Sequence, residues 1–260
     1  MLQYSFRNFY KSLRPFLIGL LIASFSHAGF VAAQTFEPIP ADQARALPII
    51  ADHGMAVSQN MVASQTALNV LKRGGNAVDA GVALALMLAV VHPEAGNLGG
   101  GGFMLVHLAK RNVTTAIDYR ELAPQATKPN VFLDAKGDFQ PNLSQENGPG
   151  IGVPGTVAGL ALALEKYGSG RFTLADLAAP AIEAARKGLI IEAGLYDSLS
   201  RSARRLSRHA STKAIFLQAD GTARPRGSLL VQSDLAATLE AIAQRGPKGF
   251  YEGSQILSRH

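Results

Sequence analysis

Two acids flank an arginine in Asp118-Tyr119-Arg120-Glu121, directly after the β-favouring run "VTTAI" and just ahead of a turn at Pro124. Carboxylates on either side of a guanidinium can hold its planar fork in one pose, and a fork so held grips a carboxylate through two parallel hydrogen bonds. The same residues would equally make an ordinary surface ion-pair cluster. Their spacing alone leaves both readings open.

A second unusual stretch lies upstream, where Gly99, Gly100, Gly101 and Gly102 run into "FMLVHL". A phosphate cradle needs a strand before its glycines and a helix after them. The order here is reversed, and no Lys-Ser or Lys-Thr follows Gly102. The glycines instead suit close backbone packing where the chain enters a buried strand. Direct contact of bare backbone with a ligand is the other reading.

Other chemistries are narrowed by what the sequence lacks. There is no cysteine, which removes thiol catalysis and Cys-ligated metals. The six histidines, His27, His53, His92, His107, His209 and His260, are too dispersed for a His-x-x-x-His metal helix. A Gly-x-Ser-x-Gly nucleophile elbow is absent. No metal and no cofactor are therefore expected, and the chain advertises no nucleophile of its own.

Length and composition bound the rest. A chain of 260 residues with 47% hydrophobic content can bury a large α/β core. Its first 33 residues read as a secretory signal: Arg7, Lys11 and Arg14 form a basic leader, "PFLIGLLIASF" is an apolar segment, and "VAA" at Val31 to Ala33 is a cleavage site. The apolar run falls short of the roughly 20 residues a span needs, so no stable membrane anchor is expected. Removing the leader lowers the formal charge from +6 to +3, and the remaining excess is poor ground for a nucleic-acid partner. A periplasmic or secreted location after cleavage near Ala33 is the expectation. Residues 34–53 read as an extended leader and residues 54–260 as the folded domain.

Within that domain the patterns predict helices over "NMVASQTALNVLK", over Ala77 to Val91, over the stretch after Pro154-Gly155, over "LADLAAPAIEAARK" and over "SDLAATLEAIAQR". Asn76 with Asp79, and Thr173 with Asp176, have capping-box spacing. The helix from Ala77 is apolar all round, which places it in the interior. "FMLVHL" and "VTTAID" are spaced for a hairpin, and Asp220-Gly221 signals another. Residues 123–150 read as surface connections, and "SRSARRLSRH" as a solvated basic face.

Three segments taken together, "GGNAVDAGVALALMLAVVHPEAGNLGGGGFMLVHL", "TTAIDYRELAP" and "VPGTVAGLALALEKYG", closely resemble the large-subunit region of γ-glutamyltranspeptidases, also called glutathione hydrolases. The resemblance runs in order from about Gly54 to Glu252. It implies an N-terminal-nucleophile hydrolase fold, an α+β αββα four-layer sandwich present only in part in this chain. It implies that Arg120 binds the α-carboxylate of a γ-glutamyl donor such as glutathione, with Asp118, Glu121 and Gly99 to Gly102 as supporting residues. In such proteins the precursor cuts itself, and a newly exposed threonine at the start of the small subunit is the nucleophile. That threonine is expected beyond His260, since the only Thr-Thr pair here, Thr114-Thr115, lies within a predicted strand. The small subunit from the same precursor is the partner so implied, and the chain as given reads as truncated and inactive by itself. A glutaryl β-lactam acylase of the same superfamily would use the same arginine, and a non-catalytic fragment or binding protein is the third alternative.

Overall fold

The structure is a computed structural model that describes residues 50–145 and 148–252. The signal segment, and all but the last few residues of the extended leader, lie outside these. The described residues from Ala51 to Glu252 form one unit, and its centre is a helix the sequence marks plainly.

Helix α1, Met61–Lys72, starts at Asn60, whose side chain accepts the Val62 N–H at 2.8 Å. Helix α2, Ala77–Val91, opens on the full capping box: Asn76 Oδ1 accepts from Val78 and Asp79, while Asp79 Oδ2 accepts the Asn76 N–H at 2.8 Å. Val82 and Val90 are fully buried and Leu86 almost so, while Gly81, Leu84, Ala85 and Leu88 form a partly buried stripe, so the helix is deeply packed over most of its surface but, contrary to the all-round burial expected of it, not on every side. His92 ends it, with Pro93 next in sequence disfavouring a further helical residue.

After the glycines come β1, Phe103–Leu108, and β2, Val113–Asp118, an antiparallel pair in register from Phe103↔Asp118 to Leu108↔Val113. A short 3₁₀ turn at Ala109–Arg111 joins them, and Asn112 closes it at φ 49°, a left-handed position that asparagine tolerates better than most residues. Period-2 alternation turns Val106 and Ile117 into the core and leaves Phe103 and Leu105 exposed on the other face.

The described residues between 123 and 150 are mostly turns and irregular chain, with one short α-helix, α3, Pro141–Gln145, and a 3₁₀ turn at Gly148–Gly150. Helices α4, Thr156–Tyr167, and α5, Leu174–Lys187, follow. Strand β3, Leu189–Ile190, is succeeded by α6, Ala193–Leu206, and α7, Ala210–Phe216, and then by β4, Leu229–Leu230, which pairs antiparallel with β3. Helices α8, Ser233–Arg245, and α9, Lys248–Tyr251, complete the described chain. The main core joins α1, α2, α4, α5 and α8 with the inner face of the first hairpin. A smaller core of Ile191, Leu199, Ala223 and Leu230 lies under α6 and α7.

Buried polar groups bind distant elements together. Asp79 also faces the Ser169 N–H at 3.2 Å, and Asn76 Nδ2 donates to the Tyr167 C=O at 2.7 Å, fastening the start of α2 to the end of α4. Gln232 Nε2 donates to the Val90 C=O at 2.9 Å, so the start of α8 is held to the end of α2.

One expectation is corrected. Asp220-Gly221 makes a tight turn, but the hairpin reduces to the single bridge Leu217↔Ala223. The strand that would precede it is helix α7, and Arg224 donates Nε to the Ile215 C=O at 2.6 Å and Nη2 to the Ala214 C=O at 3.0 Å. The chain leaving the turn thus satisfies carbonyls at a helix end in place of extending a ladder. As for the four-layer expectation, the described residues hold two separate two-stranded sheets flanked by helices, and the stacked pair of a complete sandwich is not formed within them.

Candidate functional site

Arg120 stands two residues beyond the end of β2, exposed to solvent. Its backbone is fixed from both sides. Asp118 Oδ1 accepts the Arg120 N–H at 3.0 Å, an Asx turn of the kind aspartate favours where a strand ends. Around it the ladder continues one pair past the strands, with Tyr119 N–H donating to Gly102 C=O at 3.0 Å and Gly102 N–H donating to Tyr119 C=O at 3.3 Å. Two residues beyond Arg120, Leu122 and Val153 exchange backbone hydrogen bonds at 2.7 and 3.2 Å.

The flanking acids do not hold the guanidinium as the sequence suggested. Among the described residues neither Asp118 nor Glu121 forms an ion pair with Arg120. Asp118 spends an oxygen on the backbone. Glu121 runs alongside two glycines: a Cβ at Gly101 would come within 2.8 Å of Glu121 Oε2, and one at Gly152 within 2.8 Å of Glu121 Cβ. The acids therefore shape the loop and leave the arginine head free of ion pairs, open to an anion from solution.

The glycine run is explained largely by packing. Gly100 is buried, and its C=O accepts two hydrogen bonds, from Gly155 N–H at 2.8 Å and Thr156 N–H at 3.1 Å, which join it to the start of α4. A Cβ at Gly101 would sit 2.5 Å from Tyr119 O and 2.8 Å from Glu121 N, both rigid backbone atoms. At Gly102 it would press on the Tyr119 ring at 3.0 Å. Gly99 differs, being exposed with open space around it. Gly101 and Gly102 thus let the chain pass close to residues 119–121, Gly100 leaves room for the Asn97 side chain, and Gly99 alone could be replaced without contact.

Tyr119 points the opposite way from Arg120, onto helix α4. Its ring covers Gly159, where any side chain would overlap it, and burial pushes its phenol above the ordinary tyrosine range. Gly155 lies against the Tyr119 and Arg120 carbonyls, the latter 3.2 Å from where its Cβ would be. Gly155, Gly159, Gly152 and Pro154 escaped the sequence reading as parts of the site. Glycines spaced across a helix start, as in "GVPGTVAG", are the signal that could have found them, since each marks a place where another backbone comes near.

Thr114 and Thr115 lie within β2, where Thr114 Oγ1 is 2.9 Å from His107 Nδ1 across the hairpin. Neither has a free amino group, the base that an N-terminal nucleophile requires. Among the described residues no three His, Asp or Glu side chains converge as a metal site. No helix among them is long and apolar enough to cross a membrane.

Comparison with known proteins places this arrangement. The sequence model of gamma-glutamyltranspeptidase matches residues 63–256. A glutathione hydrolase proenzyme of Escherichia coli K12 is 45% identical over 208 residues, which cover 80% of this chain and 35% of that protein. One from Pseudomonas sp. strain A14 is 42% identical over 88% of this chain and 40% of its own length. Against those two relatives the chain therefore spans about two-fifths of their length or less. Among solved structures, the Helicobacter pylori gamma-glutamyltranspeptidase superposes with a TM-score of 0.76 at 43% identity, covering 79% of this chain and 58% of that one. A cephalosporin acylase from Bacillus halodurans, 24% identical with a TM-score of 0.65, shares the fold over 84% of this chain and 41% of its own. On the strength of the matched family model and of relatives that cover most of the sequence, this chain belongs to the gamma-glutamyltranspeptidase family.

Proposed function

We propose that this chain supplies the donor-binding half of a γ-glutamyl transferase or glutathione hydrolase, with Arg120 receiving the α-carboxylate of the γ-glutamyl group. The observation that carries the reading is the posture of Arg120: a pinned backbone, an exposed head and no internal carboxylate partner among the described residues. An arginine so placed has a rigid base and an empty fork, which suits bidentate capture of a carboxylate.

In this reading a threonine supplied by a downstream region of the same precursor attacks the γ-amide through its hydroxyl, its own free amine taking the proton and passing it to the amine that leaves as the amide C–N bond breaks. The acyl-enzyme ester then passes to water or to an acceptor amine. The name proenzyme carried by the relatives supports such processing, and residues 34–260 by themselves are expected to release no nitroaniline from a γ-glutamyl-nitroanilide. Export is part of the proposal; N-terminal sequencing of secreted or periplasmic material should start near Gln34, and retention of Met1 would remove it.

The site is tested in the full-length precursor. Arg120→Lys keeps the charge but loses the fork, which should lower kcat/KM for the donor by about 10- to 150-fold, equivalent to about 1.5–3 kcal/mol. Arg120→Ala should cost at least as much, while self-cleavage, which involves no donor carboxylate, proceeds in both. Near-normal donor kinetics in a processed Arg120→Ala enzyme would return Arg120 to the status of a surface residue.

A further inference from the structure

The segment that abuts Arg120 is itself held by a residue far along the chain. Pro154 and Gly155 lie between two attachments: Val153 is bridged to Leu122, and Gly155 and Thr156 donate to Gly100. Gly155 also faces the Tyr119 and Arg120 carbonyls so closely that a Cβ there would overlap the Tyr119 oxygen and come within 3.2 Å of the Arg120 oxygen. The turn therefore meets the Arg120 loop at two places, Leu122 and the Tyr119–Arg120 carbonyls, and is anchored besides to Gly100, so what fixes the turn helps to fix the loop.

Helix α9 reaches this turn through one side chain. Tyr251 Oη donates to the Pro154 C=O at 2.8 Å and accepts the Ala158 N–H at 3.3 Å. The first bond engages the carbonyl just before Gly155. The second satisfies an amide in the first turn of α4, where no intrahelical acceptor exists. No residue of the turn offers a side-chain cap, because the N-cap position is Gly155. Tyr251 is half-buried, its ring set edge-on to Phe250 at 5.1 Å between centroids, so the hydroxyl arrives on a fixed arm.

We propose that Tyr251 is a positioning residue for the donor site: by bonding Pro154 and Ala158 it holds the turn against the Tyr119–Arg120 backbone and so sets where the Arg120 fork points. The inference rests on Arg120 being the donor-carboxylate residue. Tyr251 touches no substrate in this scheme and acts through the turn. Its effect belongs to donor binding, where a slackened fork loses alignment, and the acyl transfer that follows is left to the nucleophile.

The test is a double-mutant cycle in the processed full-length enzyme, using a γ-glutamyl-nitroanilide donor. Tyr251→Phe removes one hydroxyl and keeps the ring and its contact with Phe250. It should raise the donor KM about 3- to 10-fold, the usual worth of one neutral hydrogen bond, with kcat changed less than about twofold. In an Arg120→Ala background the same change should lower kcat/KM by less than about twofold, since the fork it aligns is gone. Amide exchange gives an independent measure: the Ala158 N–H should exchange faster in Tyr251→Phe, while amides in the middle of α2 keep their protection. An unaltered donor KM in Tyr251→Phe overturns the proposal, as does an undiminished loss in the Arg120→Ala background, which would mark Tyr251 as a general stabiliser. If Arg120→Ala itself leaves donor kinetics unchanged, or the processed enzyme turns over no γ-glutamyl donor, the reading of the site falls and this proposal with it. A strong Arg120 effect beside a silent Tyr251→Phe removes the proposal alone.

Discussion

Arg120 and its neighbours divide their work by the direction in which alternation sends them. Tyr119 goes inward onto Gly159, Arg120 outward to solvent, and Asp118 turns back on the backbone. The sequence made the motif visible but not this division. Two acids beside an arginine suggest ion pairs, yet Asp118 finds a nearer donor in the Arg120 amide once the strand has ended. That choice depends on Tyr119 pairing with Gly102, a contact between residues 17 apart in the chain, which local spacing does not encode. The glycine run yields a sharp contrast at the same scale. Gly101→Ala drives a methyl onto the Tyr119 carbonyl and the Glu121 amide, so it should cost about 1–3 kcal/mol, the usual range for overpacking, and weaken donor binding by shifting residue 120. Gly99→Ala meets nothing and should stay within about 0.5 kcal/mol, as surface changes do. Urea midpoints of the two variants, measured in the full-length protein, check this; equal midpoints would mean that the glycines do not serve close packing.

Helix boundaries were the most legible feature at the scale of elements, because caps are local chemistry. Asn76-x-x-Asp79 and Thr173-x-x-Asp176 close as reciprocal boxes, and α5 stops where Lys187-Gly188 says it should, with Gly188 at φ 86°. What stayed hidden was the second duty of such residues. Asp79 also faces Ser169, and no pattern within α2 announces a partner 90 residues away. Strands β3 and β4 were missed for a related reason: two residues per strand carry no alternation to read. The α5 cap gives a prediction with a definite sign. Hydrogen bonds from the Thr173 hydroxyl, then from its backbone N–H, hold the Asp176 carboxyl below its ordinary range. A carboxyl with a lowered folded pKa contributes stability that is present above the unfolded carboxylate range and is lost as pH falls through the folded value. Thr173→Ala should therefore cost about 1 kcal/mol at neutral pH, a typical N-cap loss, and the gap to wild type should narrow as pH drops below the carboxylate range. A gap that is flat or widens in acid, in denaturant titrations from pH 7 to pH 3, would show that the carboxylate is not part of the cap's contribution.

For the molecule as a whole, the first hairpin shows two unlike faces. Met104, Val106 and Ile117 join the main core, whereas Phe103 is 65% exposed and Leu105 75% exposed on the opposite side, and the sheet ends at two strands with both outer edges unpaired by any other strand of the described chain. Large apolar side chains beside open strand edges favour association with other chains. A second meaning follows if the sandwich expected from the resemblance is proposed for the full-length protein, since a further layer would then cover the outer side of the sheet, and the chain spans only part of its relatives. The two meanings predict separate outcomes for one pair of substitutions, one in the fragment and one in the full-length precursor. In residues 34–260 alone, Phe103→Ser with Leu105→Lys should shift the protein from oligomers toward monomer in size-exclusion chromatography, because the sticky surface is removed while Val106 and Ile117 keep the inner face intact. In the full-length precursor the same pair should impair self-cleavage, because a lysine would be forced into a covered apolar layer without a partner. If the pair leaves the fragment's oligomers unchanged and the precursor cleaves at its normal rate, the outer face of the hairpin is neither the source of association nor the seat of a second layer.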